Sequence, residues 1–170
     1  STRALFINDS LFYRFAKDTG VSYEMLDTWE GFFEVAAKYY EWSGGKSFCA
    51  FDYLIQNVEY DMLASGHEPV YNDADWYDTS DPNLKASWMK FAVPLAKGHI
   101  VVSDKYANTQ IMTGEVAAGV GSSAAINYYN DTVTYPDNTS EKMNLKVLPL
   151  PKTGSGEQFM PVTGTGFSAY

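Results

Sequence analysis

Two hydropathy periods alternate along the chain, and this restricts the fold more than any other feature. Short apolar runs of strand type (Ala4–Asn8, Lys46–Phe51, Glu115–Gly119, Met143–Leu150) are separated by segments whose apolar residues recur at helical spacing. The clearest helix is capped by Asp27 or Thr28, with Glu30 at capping-box distance from Asp27. Trp29, Phe32, Phe33, Ala36, Ala37 and Tyr40 form its stripe, and Gly44-Gly45 ends it. Asp9-Ser10 opens an earlier helix with Leu11, Phe12, Phe15 and Ala16. Asp52-Tyr53 leads into another that runs to about Ser65. Leu84, Trp88, Phe91, Ala92 and Leu95 mark a fourth helix, with Pro94 kinking its last turn. Shorter helices are expected at Asp104–Thr113 and Ala124–Tyr129, polar loops at 67–81 and 130–142, and extended chain over 159–170. Strands exchanging with helices predict an α/β fold with a largely parallel sheet. With no internal repeat and no linker, 1–170 reads as a single domain.

Composition narrows the chemistry. The 170 residues are 45% hydrophobic and 19% charged, which suits a packed core rather than a disordered chain. A net charge of -9 repels nucleic-acid phosphates, and no basic face exists to hold an anionic membrane. The single cysteine, Cys49, lies in the apolar run Phe48-Cys49-Ala50-Phe51 and reads as a small buried hydrophobe. His67 and His99 lack any metal-ligand or triad spacing. Gly119-Val120-Gly121 followed by Ala124 imitates a dinucleotide loop, but the acid at Glu141 precedes a strand instead of ending one. Asp73, Asp75, Asp78 and Asp81 do not follow the calcium-loop pattern and read as a solvated acidic loop. No cofactor or metal is expected, and no motif presents paired carboxylates for hydrolysis.

In an open α/β sheet, ligands sit beyond the carboxyl ends of the strands. One such end is Asp52-Tyr53, with Asn57 one turn into the following helix. A carboxylate or amide there can hold neighbouring hydroxyls while a tyrosine ring stacks on an apolar ligand face. The alternative is that Asp52 caps the helix and Tyr53 packs. A second end is Gly121-Ser122-Ser123, where backbone N–H groups and two hydroxyls converge, or where a serine simply caps a helix. Tyr128 lies further along the same segment. The third is Thr163-Gly164-Thr165-Gly166, whose glycines permit close backbone approach to a ligand or simply form a plain loop. Trp76, in the acidic loop, is free to act as a ligand wall, whereas Trp29 and Trp88 fall on core stripes.

Four segments in this order resemble the carbohydrate-type extracellular solute-binding proteins of ABC importers, family 1. Leu5 to Phe12 (LFINDSLF) resembles their YNKDLF strand-to-helix step, and Asp27-Thr28-Trp29-Glu30 their P-x-T-W-D-E helix start, with Met25-Leu26 in place of the usual proline. Gly114 to Gly121, after Ile111 and Met112, resembles their F-x-x-G-x-x-A-M-x-x-x-G pair. Val147 to Pro151, with Gly164-Thr165-Gly166 after a gap, resembles their PLP…GGxG return to the hinge. The resemblance implies the three-layer α/β/α lobe of the type II periplasmic-binding-protein fold. It further implies that this is the second, C-terminal lobe, the N-terminal lobe of the same protein lying outside the sequence. The function it implies is non-catalytic, hinge-closing capture of a mono- or oligosaccharide for an ABC permease. The location it implies is extracellular or periplasmic, with a lipid anchor on the full-length protein. An aromatic usually succeeds the Gly-Ser turn in that family; here Ala124-Ala125 stand there instead. Three other readings stay open: a sensor or adhesion module of the same fold, a non-sugar cargo, and a carbohydrate-active enzyme domain.

Overall fold

The computed structural model describes residues 1–72, 74, 77–104, 106–162, 164 and 166. Its centre is a sheet of five strands in the order β3-β2-β4-β1-β7. These are β1 (Arg3–Asn8), β2 (Cys49–Phe51), β3 (Ile100–Val102), β4 (Ala118–Ser122) and β7 (Leu145–Leu148). β2 pairs in parallel with β3 and β4, whereas β1 is antiparallel to both β4 and β7. The sheet is therefore mixed: the other strands share one direction, as the alternation of segments predicts, and β1 alone is reversed. This reversal places the start of β1, at Arg3, beside the carboxyl ends of β2 and β4.

Every residue of β1 is buried, so the strand serves two cores at once. Leu5 and Ile7 face one core with Cys49, Phe51, Ala118 and Val120, while Ala4, Phe6 and Ala50 face the other. Four helices cover the first face: α1 (Asp9–Thr19), α2 (Trp29–Trp42), α3 (Leu54–Ala64) and α4 (Pro82–Ala96). Phe12, Phe15, Phe32 and Phe48 interlock there through tilted and edge-to-face contacts, and Phe91 meets Trp29 and Phe51 edge to face. Among the described residues the second face carries α5 (Ala107–Met112), a hairpin of β5 (Thr132–Thr134) with β6 (Ser140–Lys142), and the segment holding Ala125 and Tyr129, so the third layer is thin. Its strands present small residues: a Cβ on Gly119 would lie 2.8 Å from Ala107 Cβ and 2.9 Å from Ile111 Cδ1. Gly119 thus lets α5 sit directly on β4, which is the packing reason for the glycine in this imitation of a dinucleotide loop.

Several boundaries differ from the sequence reading. Asn8, not Asp9 or Ser10, caps α1, its Oδ1 accepting from the Leu11 N–H at 3.2 Å. Thr28 caps α2, and the buried stripe of that helix is centred on Trp29, Phe32, Val35, Ala36 and Tyr39, leaving Ala37 and Tyr40 half-buried. β4 begins three residues later than its apolar run predicts and continues through Gly119 and Gly121. Gly119 is held extended by pairing with β1 on one side and β2 on the other, and Gly121 by pairing with β1. The loop expected at 130–142 contains the β5–β6 hairpin. Val133 is buried between exposed threonines, and Tyr135-Pro136-Asp137-Asn138 makes the turn, with Asn138 at φ 65°. The Ala124–Tyr129 helix is instead a 3-10 turn over Ser123–Tyr128.

Trp88 is also corrected. It is 40% exposed, because α4 buries Ser87, Phe91 and Pro94 instead. The helix is rotated by a polar anchor. Asp61 of α3 has a fully buried side chain that accepts from Ser87 Oγ at 2.6 Å, Lys90 Nζ at 3.0 Å and Thr153 Oγ1 at 2.8 Å. A buried carboxylate without these donors would be strongly unfavourable, so satisfying it decides which face of α4 points inward.

Candidate ligand-binding site

The carboxyl ends of β2 and β4, the start of β1 and the first turn of α5 surround a cavity of about 350 Å³. Larger clefts, of about 570, 640 and 380 Å³, lie elsewhere, beside Arg14 and Glu141, beside Trp42 and His99, and beside Thr113 and Asn138. None is at the carboxyl end of a strand of the five-stranded sheet, and in the first the charges of Arg14 and Glu141 neutralise each other in an ion pair.

Asp52 comes directly after β2. Its N–H bonds to the Val120 carbonyl, and its Oδ1 accepts from the Ala107 N–H at 2.8 Å. The carboxylate therefore ties the end of β2 to the start of α5, and it does not cap α3, the next helix in the chain. Burial pushes the Asp52 carboxyl above the usual aspartate range, opposed by the Ala107 N–H and the Arg3 charge. A Cβ on Gly121 would stand 2.8 Å from Asp52 Oδ2, so Gly121 gives the carboxylate its room. Tyr53 takes a left-handed conformation, φ 55° and ψ 63°, uncommon for a residue with a Cβ. Its ring does not pack into the core; it is 64% exposed and borders the cavity.

Arg3 lies under the same cavity at 8% exposure. Its Nη2 donates to the Asp52 carbonyl, while Nε is buried without an acceptor. Burial lowers the pKa of the guanidinium from its ordinary value, with Asp52 acting against the shift. Around this polar floor stand three exposed tyrosines, Tyr53, Tyr106 and Tyr128. Ser122 lines the cavity and caps the 3-10 turn by accepting from the Ala124 N–H at 3.2 Å. Ser123 Oγ accepts from the Thr2 N–H at 3.1 Å, tying the turn to the start of the chain. Ala124 and Ala125 form small wall residues where the resemblance leads one to expect a ring. Tyr128 supplies a ring further along, and Tyr129 turns inward to stack on Phe6 at 4.9 Å.

The structure thus brings Asp52, Tyr53, Ser122 and Tyr128 together, with Gly121 and Ser123 behind them. Asn57 is buried at 1% exposure outside the lining, its Nδ2 donating to the Tyr53 carbonyl at 3.5 Å, and it supports the turn from beneath. Gly164 has open space around its Cα and no left-handed φ, so no close approach requires a glycine there. Trp76, Thr163 and Thr165 lie outside the described residues. Sequence reasoning missed Arg3, Tyr106, Asn108 and Thr109. The available signal for Arg3 was a charged residue heading an otherwise apolar strand. Among the described residues no group of His, Cys, Asp and Glu is placed to hold a metal ion, and no helix is long and apolar enough to cross a membrane.

No protein-family model matches the chain, and a search of the curated proteins finds no match. Solved structures do match. UgpB from Mycobacterium tuberculosis, in complex with glycerophosphocholine, superposes with a TM-score of 0.66 at 15% identity, covering 91% of this chain and 37% of that one. The ABC substrate-binding protein Lmo0181 from Listeria monocytogenes, in complex with cycloalternan, gives 0.62 at 15% identity over 90% of this chain and 38% of that one. The GacH receptor of Streptomyces glaucescens, solved unliganded and with acarbose, gives 0.56 at 15% identity over 94% and 39%. The fold is that of the periplasmic binding proteins, and the chain spans less than two-fifths of the length of these structures.

Proposed function

We propose that the chain is the C-terminal lobe of an extracellular solute-binding protein, and that it captures a carbohydrate for an ABC importer without performing chemistry on it. The observation that carries this reading is the half-open cavity at the strand ends, where three tyrosines ring a polar floor. Tyrosine rings offer apolar faces to the C–H side of a sugar, and the floor offers donors and an acceptor to its hydroxyls. Support also comes from the neighbours solved with acarbose and cycloalternan. Capture works by hinge closure: a second lobe completes the pocket, excludes water and presents a closed shape to the permease. The full-length protein acts outside the cytoplasmic membrane, held by a lipid anchor.

Isothermal calorimetry of this chain and of the two-lobe protein against a panel of mono- and oligosaccharides tests the reading. Weak binding to the chain and much tighter binding to the two-lobe form are expected. Failure of the two-lobe protein to bind any sugar removes the carbohydrate assignment. The second reading, a non-sugar cargo, is favoured by the glycerophosphocholine complex of UgpB, and that compound belongs in the panel.

A further inference from the structure

We infer that Arg3 and Asp52 form a charge-balanced donor–acceptor couple that reads two adjacent hydroxyls on an uncharged ligand, Arg3 being the specificity-determining half. The inference rests on the sugar-binding reading and adds to it a residue and a selection rule. Both residues line the cavity, and Arg3 Nη2 on the Asp52 carbonyl fixes them side by side. Each is only partly satisfied. Arg3 donates to a neutral carbonyl and keeps a buried Nε without an acceptor. Asp52 has its Oδ1 on the Ala107 N–H, while Oδ2 lies against Gly121, which carries no side chain, and the Ser103 hydroxyl stands beside the carboxylate. Among the described residues the ion pairs within 4.0 Å involve neither of them.

A guanidinium only donates and a carboxylate only accepts. A hydroxyl does both, so of two neighbouring hydroxyls one can accept from Arg3 while the other donates to Asp52. Their opposite charges cancel beneath apolar tyrosine and alanine walls, where the dielectric is low and charge counts heavily. A carboxylate or ammonium on the ligand would leave one charge in that space uncompensated, and burying an uncompensated charge is expensive. The couple therefore favours neutral polyols over their charged counterparts of the same shape.

The test is an NMR titration of the isotope-labelled chain with glucose, galactose and mannose, each beside its uronate and its 2-amino form. The amides of Tyr53 and Ser122 and the Arg3 side-chain N–H resonances report binding. The neutral member of at least one trio should bind tighter than both charged members by about tenfold, the effect of one hydrogen bond to a charged group. Arg3→Gln keeps a donor for the Asp52 carbonyl and removes the positive charge, so its preference should shift toward the amino sugar. Asp52→Asn keeps an acceptor for Ala107 and should shift preference toward the uronate. Tighter uronate or amino-sugar binding by the unaltered chain overturns the couple, needing no variant to fold. Equal binding across each trio also overturns it while leaving the sugar-binding reading intact. If no sugar of any charge moves the cavity resonances, the couple falls, and calorimetry of the two-lobe protein decides the sugar-binding reading separately.

Discussion

Replacing Gly121 by alanine tests how the site is built. The new Cβ would stand 2.8 Å from Asp52 Oδ2, about 0.6 Å inside the 3.4 Å at which ordinary contact begins. β4 cannot retreat, because it is hydrogen-bonded to β1 on one side and β2 on the other. Asp52 is a short side chain whose Oδ1 is already bound at 2.8 Å to the Ala107 N–H, so the carboxylate can move only by stretching that bond. Overpacking of this kind costs about 1–3 kcal/mol, and losing a hydrogen bond to a charged group costs about 1.5–3 kcal/mol. One displacement causes both, so the losses overlap and a net destabilisation of about 2–3 kcal/mol is expected. For a chain of this length that lowers the thermal midpoint by roughly 5–10 °C. Urea unfolding monitored by circular dichroism measures it. Asp52→Ala removes the clashing oxygen, so the double variant should be less destabilised than the sum of the two by about 1 kcal/mol or more. A Gly121→Ala variant within about 0.5 kcal/mol of the parent would refute the close-approach argument.

Thr153→Val, which withdraws one donor from the buried Asp61 carboxylate, should lower stability by about 1 kcal/mol in urea. Asp61→Leu, which leaves Lys90 and Ser87 without their acceptor, should cost about 3 kcal/mol or more, and near-neutral behaviour in both would show that the cluster does not anchor α4. Tyr53→Gly relieves a left-handed backbone and gives up little burial, so it should be neutral or stabilise the fold by up to about 1 kcal/mol. The same change should weaken sugar binding, and a large loss of stability would contradict the exposed placement of the ring. Glu141 is held below the usual glutamate range first by its hydrogen bond from Arg14. With the folded value depressed, its contribution is present above the ordinary glutamate value and is lost as pH falls through the folded one. Glu141→Gln should therefore flatten the acid limb of the stability–pH profile measured by urea midpoints, whereas an unchanged limb would dismiss the pair as a contributor.

Much of the architecture was legible because periodicity is a local property. The Trp29–Phe32–Ala36 stripe is a consequence of helical geometry and burial, and the short runs at Ala4–Asn8 and Lys46–Phe51 contain the strands β1 and β2, buried on both faces. Candidate site residues at Asp52-Tyr53 and Ser122 were legible for a related reason, since strand ends in α/β sheets are where polar groups become available to ligands. The exposed Trp88 shows where local reading stops. Its spacing fits a stripe, yet the direction of α4 is decided by Asp61 on another helix and Thr153 on a distant segment. The β5–β6 hairpin was in principle readable from the Thr-Val-Thr alternation and the Pro-Asp-Asn turn.

The chain's own sequence determined most of its element types, its α/β class and the strand ends that border the cavity, because each depends on neighbours a few residues apart. Only the tertiary structure decided that β1 runs against the rest of the sheet, and so that Arg3 lies beneath Tyr53, Tyr106 and Tyr128 beside Asp52. Strand direction is set by which edges pair across long separations in sequence, and no local pattern encodes that pairing.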